Sequence, residues 1–128
     1  MRLLLDTHAF IWWAAENSRL SPSAQALIAD GDNQVFISAA SAWEIATKVR
    51  AGRWVEAAGV AERMPEVIAA EGFEPLSVTL EHGRRAGFLE GDHRDPFDRI
   101  LAAQAMLDDM TLVTADPAFT AFEVKVVW

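Results

Sequence analysis

The chain has 128 residues, a formal net charge of −8 and 52% hydrophobic residues, enough for one domain with its own core and too apolar for a disordered segment. It has no cysteine, which excludes disulfides, thiolate zinc sites and cysteine nucleophiles. No apolar run nears the roughly 20 residues of a membrane span, and Met1-Arg2-Leu3-Leu4-Leu5 meets Asp6 too soon for a secretory leader, so the expected compartment is the cytoplasm.

In chain order, Leu3-Leu4-Leu5 reads as a short buried strand that ends on Asp6. Residues 9–15 read as a helix, and Ser21-Pro22 reads as a cap and first turn for a second helix reaching about Asp30. Residues 34–38 form a second predicted strand. Ser38 then caps a helix over 39–51, which Gly52 stops and whose last turn carries Lys48 and Arg50 against the helix dipole. Residues 55–70 are expected to be helical in one or two pieces, given Gly59 and Pro65. Residues 73–76 make a weak third strand, which Pro75 assigns to an edge. A helix over 79–89, a loop over 91–94, a helix opened by Asp95-Pro96 and running to about Asp109, a fourth strand over 111–114 and a fifth over 124–127 complete the chain. Strands alternate with helices and are apolar throughout, without polar alternation. That pattern predicts a parallel five-stranded sheet covered on both faces, an α/β sandwich in a single domain over 1–128.

The acids fall where such a sheet binds ligands. Asp6 follows the first strand and Asp116 the fourth. With strand order 3-2-1-4-5 these two strands are neighbours at the point where the order reverses, and ligands bind beyond the carboxyl ends there. Glu44 sits among apolar residues in mid-helix, where a carboxylate needs a partner or a metal. Asp98 lies one turn into its helix, with a side chain free to lean back toward the strand ends. Carboxylates in one pocket repel each other unless a cation holds them ionised, and an all-oxygen set suits Mg²⁺ or Mn²⁺. Each acid also has a plain structural alternative. Asp6 can cap the helix after the first strand, Asp116 can start a turn before Pro117, Glu44 can pair with Lys48 four residues on, and Asp95 is a natural helix cap.

His8, His82 and His93 show no metal-ligand spacing and are expected to be surface or structural residues. Trp12, Trp13, Trp43 and Trp54 are expected in the core or an interface, with one of the adjacent pair Trp12-Trp13 turned toward a partner. Lys48, Arg50, Arg53, Arg84, Arg85, Arg94 and Arg99 are the phosphate contacts on offer, scattered along the chain.

Leu4-Leu5-Asp6-Thr7-His8, Ser38 through Ile45 (SAASAWEI), Asp95 through Ala105 (DPFDRILAAQA) and Leu112-Val113-Thr114-Ala115-Asp116 follow one another in the order expected of a PIN domain. The chain resembles a VapC-type toxin of a bacterial toxin–antitoxin pair over essentially its whole length. That resemblance implies a three-layer α/β/α sandwich and RNA cleavage dependent on one or two Mg²⁺ or Mn²⁺ ions. It also implies inhibition by a VapB-like antitoxin, and a homodimer. By motif, Asp6, Glu44, Asp98 and Asp116 match the four family acids, with Asp6, Asp98 and Asp116 as metal ligands. Asp95 is an extra acid, either cap or alternative ligand, and Thr7, Ser38 and Thr114 would be hydroxyls near the metal. The charge of −8 departs from what an RNA binder needs and leaves the RNA-binding residues unassigned.

Four other readings compete. A PIN-like RNA-processing nuclease outside any toxin–antitoxin pair shares every feature. A receiver-type phosphoryl acceptor lacks its Asp after the third strand, and a phosphatase with a first-strand nucleophile has His8 where its second Asp belongs. A catalytically silent binding module would use the tryptophans as its interface.

Overall fold

A computed structural model describes residues 1–128. Five parallel strands, β1 (Arg2–Leu5), β2 (Gln34–Ser38), β3 (Glu74–Leu76), β4 (Thr111–Val113) and β5 (Val126–Val127), form one sheet in the order β3-β2-β1-β4-β5. The predicted order holds, and Pro75 lies on the edge strand, paired with Ile37. An edge tolerates its missing N–H.

The triplet Leu3-Leu4-Leu5 shows why the sheet is covered on both faces. All three side chains are fully buried, yet they serve different cores. Leu3 and Leu5 pack with Phe10, Ile11, Leu20, Ile28 and Ile45 on one face, while Leu4 packs with Leu101, Ala102, Leu112 and Phe119 on the other. Alternation of side chains along a strand sends them to opposite layers. Each fully buried leucine contributes roughly 1.5–3 kcal/mol, so a polar substitution within the triplet would unseat one layer.

The helices are α1 (Thr7–Ala14), α2 (Pro22–Ala29), α3 (Ala39–Arg50), α4 (Ala58–Glu62), α5 (Met64–Ala70), α6 (Leu80–Phe88) and α7 (Pro96–Leu107). Helices α1, α2 and α3 bury their apolar sides on the Leu3/Leu5 face, and α7 covers the Leu4 face with α6 packed along it. The first helix begins two residues before its predicted start because Asp6 itself caps it. The stretch expected in one or two helical pieces is three: a 3-10 turn over Val55–Ala57, then α4 and α5, broken at Arg63 just ahead of Pro65. One element has no counterpart among the predicted ones. Residues Pro117–Ala121 form a 3-10 helix that buries Phe119 against Leu4.

Candidate active site

Asp6 leaves the carboxyl end of β1 and is buried. Its backbone N–H still donates to Val113 O of β4 at 3.0 Å, which fixes the residue to the sheet. Its Oδ1 accepts from Ala9 N at 2.8 Å, capping α1, and its Oδ2 accepts from Thr114 Oγ1 at 2.6 Å. The same Thr114 Oγ1 accepts from Asp116 N at 3.0 Å. One hydroxyl therefore ties the acid after β1 to the acid after β4. Asp116 is exposed and caps the 3-10 helix through Ala118 N at 2.9 Å. Burial drives the Asp6 carboxyl above its ordinary range; the Thr114 and Ala9 bonds pull it down, and the Asp116 charge adds a small push upward.

The next residue begins a second chain of bonds. Thr7 Oγ1 donates to Glu44 Oε1 at 2.6 Å and lies 2.9 Å from Ser41 Oγ. Thr7 has one proton and spends it on the carboxylate, so Ser41 is the donor between the two hydroxyls. Glu44 Oε2 accepts from Lys48 Nζ at 2.5 Å. Glu44 is buried, and its charge is matched by an ammonium one helical turn away. The Lys48 alternative and the inward placement of Glu44 are thus both realised, because the side chain points inward while its second oxygen reaches back to the helix surface.

The third group lies at the start of α7. Asp95 caps the helix, accepting from Phe97 N at 2.9 Å and Asp98 N at 3.3 Å. Asp98 Oδ2 lies 2.8 Å from His93 Nε2. Burial pushes the Asp98 carboxyl up to about 6; the His93 bond opposes this, and the charges of Asp95 and Glu44 reinforce it. Glu44 and Asp95 therefore act on Asp98 through space, as Asp116 acts on Asp6.

Sequence reasoning missed the partner of Asp98 and the residue that holds that partner's loop. His93 is part of the site, with its ring beside Phe119 and Phe122. Arg99, offered as a phosphate contact, is committed elsewhere: Nε donates to Ala86 O at 2.9 Å, Nη1 to His93 O at 2.9 Å, and Nη2 to Leu89 O. Its planar fork closes the end of α6 and holds the loop that carries His93. The only sequence signal for either is position, within one turn on each side of the Asp95 cap. Ser38 spends its hydroxyl on Ala40 N at 3.0 Å as the cap of α3. Trp12 and Trp13 both pack within the chain, against Trp128 and Phe73, and the exposed tryptophan is Trp43, 65% accessible and edge-on to Phe97.

The donor set is all oxygen, and burial together with neighbouring negative charge holds the Asp6 and Asp98 carboxyls above their ordinary range, which a divalent cation would relieve. No three acidic or histidine side chains stand close enough together to enclose an ion on their own. Mg²⁺, which keeps several waters and binds through one or two carboxylates plus substrate phosphates, would not require such a cage. Asp6 and Asp116, joined through Thr114, are a pair that could hold it so.

A sequence model of the PIN domain matches residues 3–125. The chain belongs to the PIN domain family. This PIN domain is 31% identical over 125 residues to the ribonuclease VapC22 of Mycobacterium tuberculosis, an alignment spanning 89% of this chain and 86% of that protein. Among solved structures it is similar to a chain of the VapBC2 complex of Rickettsia felis bound to a promoter DNA fragment, with a TM-score of 0.73, 16% identity, and coverage of 99% and 98% of the two chains. A chain of FitAcB from Neisseria gonorrhoeae gives a TM-score of 0.71 at 21% identity, covering 98% of this PIN domain and 96% of that chain. The sheet order and the placement of helices on both faces are those of the PIN fold.

Proposed function

We propose that this PIN domain, a single domain over residues 1–128, is an endoribonuclease that hydrolyses RNA phosphodiester bonds with Mg²⁺ or Mn²⁺. In this reading it acts in the cytoplasm as the toxin of a toxin–antitoxin pair, forms a homodimer and is neutralised by a VapB-like antitoxin. The observation that carries the activity is Asp6: a buried acid at the switch point of a parallel sheet, bonded through Thr114 to the acid of the neighbouring strand. Homology to a ribonuclease over most of both chains supports the substrate class. Likeness to chains of VapBC and FitAB complexes supports the antitoxin, and the net charge of −8 offers a surface for a basic antitoxin segment.

In this reading Asp6, Asp98 and Asp116 hold the ion or ions, and Glu44 completes the cluster. An ion held by these acids would supply Lewis acidity toward water and charge neutralisation at the phosphate. Thr114 keeps the Asp6 carboxylate oriented across the strand gap. Thr7 holds the inner oxygen of Glu44, and Lys48 balances its charge until substrate arrives. His93 fixes one oxygen of Asp98, leaving the other free.

The test is cleavage of total bacterial RNA by the purified, antitoxin-free protein in Mn²⁺ or Mg²⁺ against EDTA, with Asp6→Asn beside wild type. Discrete products that need both metal and Asp6 are expected. Cleavage surviving in EDTA or in the variant would falsify the assignment, and a folded wild type that neither cleaves nor binds Mn²⁺ by calorimetry is a silent binding module.

A further inference from the structure

We infer that the cleft lined by His8, Lys48, Arg53 and Trp54 is a binding subsite for single-stranded RNA beside the acid cluster, taking one phosphate on its cations and one base against Trp54. The inference rests on the nuclease reading and names where that site holds its substrate. The cleft has a volume of about 370 Å³, and its four lining residues comprise one lysine, one arginine, one histidine and one tryptophan. Lys48 is matched by Glu44, so in a chain of net charge −8 the unpaired Arg53 is the cation that phosphate recognition needs, with Lys48 beside it.

Each side chain is set up for the task. Gly52, with φ of +71°, ends α3 in a left-handed turn: Gly52 N donates to Val49 O at 3.0 Å and Arg53 N to Lys48 O at 2.9 Å. This pair of reverse bonds is a Schellman closure, and it holds Arg53 and Trp54 in a defined exit from the helix. The Arg53 side chain is exposed and makes no hydrogen bond or ion pair within the chain, so its whole fork faces outward. Trp54 is half-buried, with the His8 ring 4.8 Å away at 38° and Lys48 Nζ 5.6 Å from its ring centre. A tryptophan flanked by a second ring and a cation is a sequence-tolerant stacking platform.

The cleft adjoins the acid cluster through Lys48 and His8. Lys48 belongs to both, holding Glu44 Oε2 at 2.5 Å while lining the cleft. His8 is two residues beyond Asp6 on the first turn of α1. A strand whose cleaved phosphate sits at Asp6 and Asp116 can lay a neighbouring nucleotide on Trp54, with its phosphate on Arg53. The interleaving of ring and cation favours a single strand over a protein segment, for which a continuous apolar or charged face would serve.

The test is fluorescence anisotropy of a labelled twelve-nucleotide single-stranded RNA of mixed sequence in Mg²⁺. Asp6→Asn serves as the uncleaving parent, with Arg53→Gln and Trp54→Leu placed on it. Arg53→Gln should weaken binding roughly five- to tenfold at low salt and reduce the slope of log K against log salt by about one. Trp54→Leu should weaken binding roughly tenfold with the slope unchanged. Melting curves exclude unfolding, and Arg53→Gln, which removes only an exposed unbonded group, decides the matter if Trp54→Leu is unstable. Parent-like binding by both variants overturns the subsite, as does equal loss on a double-stranded DNA of the same charge. A wild type that cleaves RNA while Arg53→Gln binds no more weakly than its uncleaving parent leaves the nuclease standing and the subsite refuted. Loss of cleavage in the wild type itself refutes the nuclease reading.

Discussion

Asp6, buried, and Asp98, half-buried, both have carboxyls driven upward by desolvation, but they are held in opposite ways. Asp6 is fixed by regular structure: a strand behind it, a helix N-terminus in front and one hydroxyl across the strand gap. Asp98 is fixed by irregular structure. Its partner His93 sits in a loop, and that loop is held by Arg99 gripping three backbone carbonyls. The first arrangement costs no loop ordering, because the sheet enforces it. The second gives up conformational entropy over residues 89–95 and offsets it through charge-assisted bonds from one guanidinium. In the proposed reading the rigid half would provide the fixed ligand, and the loop half the acid that adjusts as ion and substrate enter.

The largest expected effect comes from breaking the rigid half. Asp6→Asn keeps the cap on α1, since an asparagine oxygen still accepts from Ala9 N, and removes a costly buried charge. Folding should be retained while the initial rate of RNA cleavage falls roughly a thousandfold, about 4 kcal/mol of lost transition-state stabilisation. Breaking the loop half should act on stability and rate together. Arg99→Ala removes three bonds from a charged donor and should cost about 2–4 kcal/mol, a drop in Tm of roughly 10 °C by calorimetry, with cleavage slowed roughly tenfold. Arg99→Lys should restore less than half of either, because a single ammonium cannot span Ala86, Leu89 and His93. Thr114→Val tests the tie between Asp6 and Asp116 at nearly constant volume. It should cost about 1–2 kcal/mol in denaturant melts and slow cleavage about tenfold; an unchanged rate would detach Asp116 from the site.

The rigid half was legible in the sequence for the same reason that it is rigid. An apolar triplet ending on an acid fixes Asp6 at a strand end, and alternation of strands with helices places that end at the switch point beside Asp116. The covered sheet and the edge position of Pro75 followed from pattern, whereas the order 3-2-1-4-5 entered as a condition that the structure meets. The loop half was not legible, because Arg99 binds backbone carbonyls, and carbonyls carry no signature in the side-chain sequence. His93 gave no metal-like spacing and so looked structural; its role depends on the Arg99 grip that brings the loop over Asp98. Ser38 carried two expectations, the cap of α3 and a hydroxyl near the metal. A hydroxyl at the carboxyl end of a strand suits a site and a helix cap equally, and here the cap takes it.

The smallest effect expected is a pH dependence that separates the two halves from the rest of the molecule. With its folded value near 6 and its free value at 3.8, Asp98 binds more proton in the folded than in the unfolded chain between those limits. Its contribution to stability is therefore most favourable at low pH and is lost as pH rises through about 6. Asp6, raised in the same direction, adds to the slope. In EDTA, Asp98→Asn should melt close to wild type at pH 4.5, where both side chains are neutral, and above it at pH 7.5, where only wild type carries the buried charge. The ordering should then invert with Mn²⁺ at pH 7.5, because an ion stabilises only a protein that offers it the carboxylate. A melting difference between the two proteins that ignores both pH and Mn²⁺ would mean that Asp98 is satisfied by His93 alone. The loop half would then be a structural clasp, with the chemistry confined to Asp6, Glu44 and Asp116.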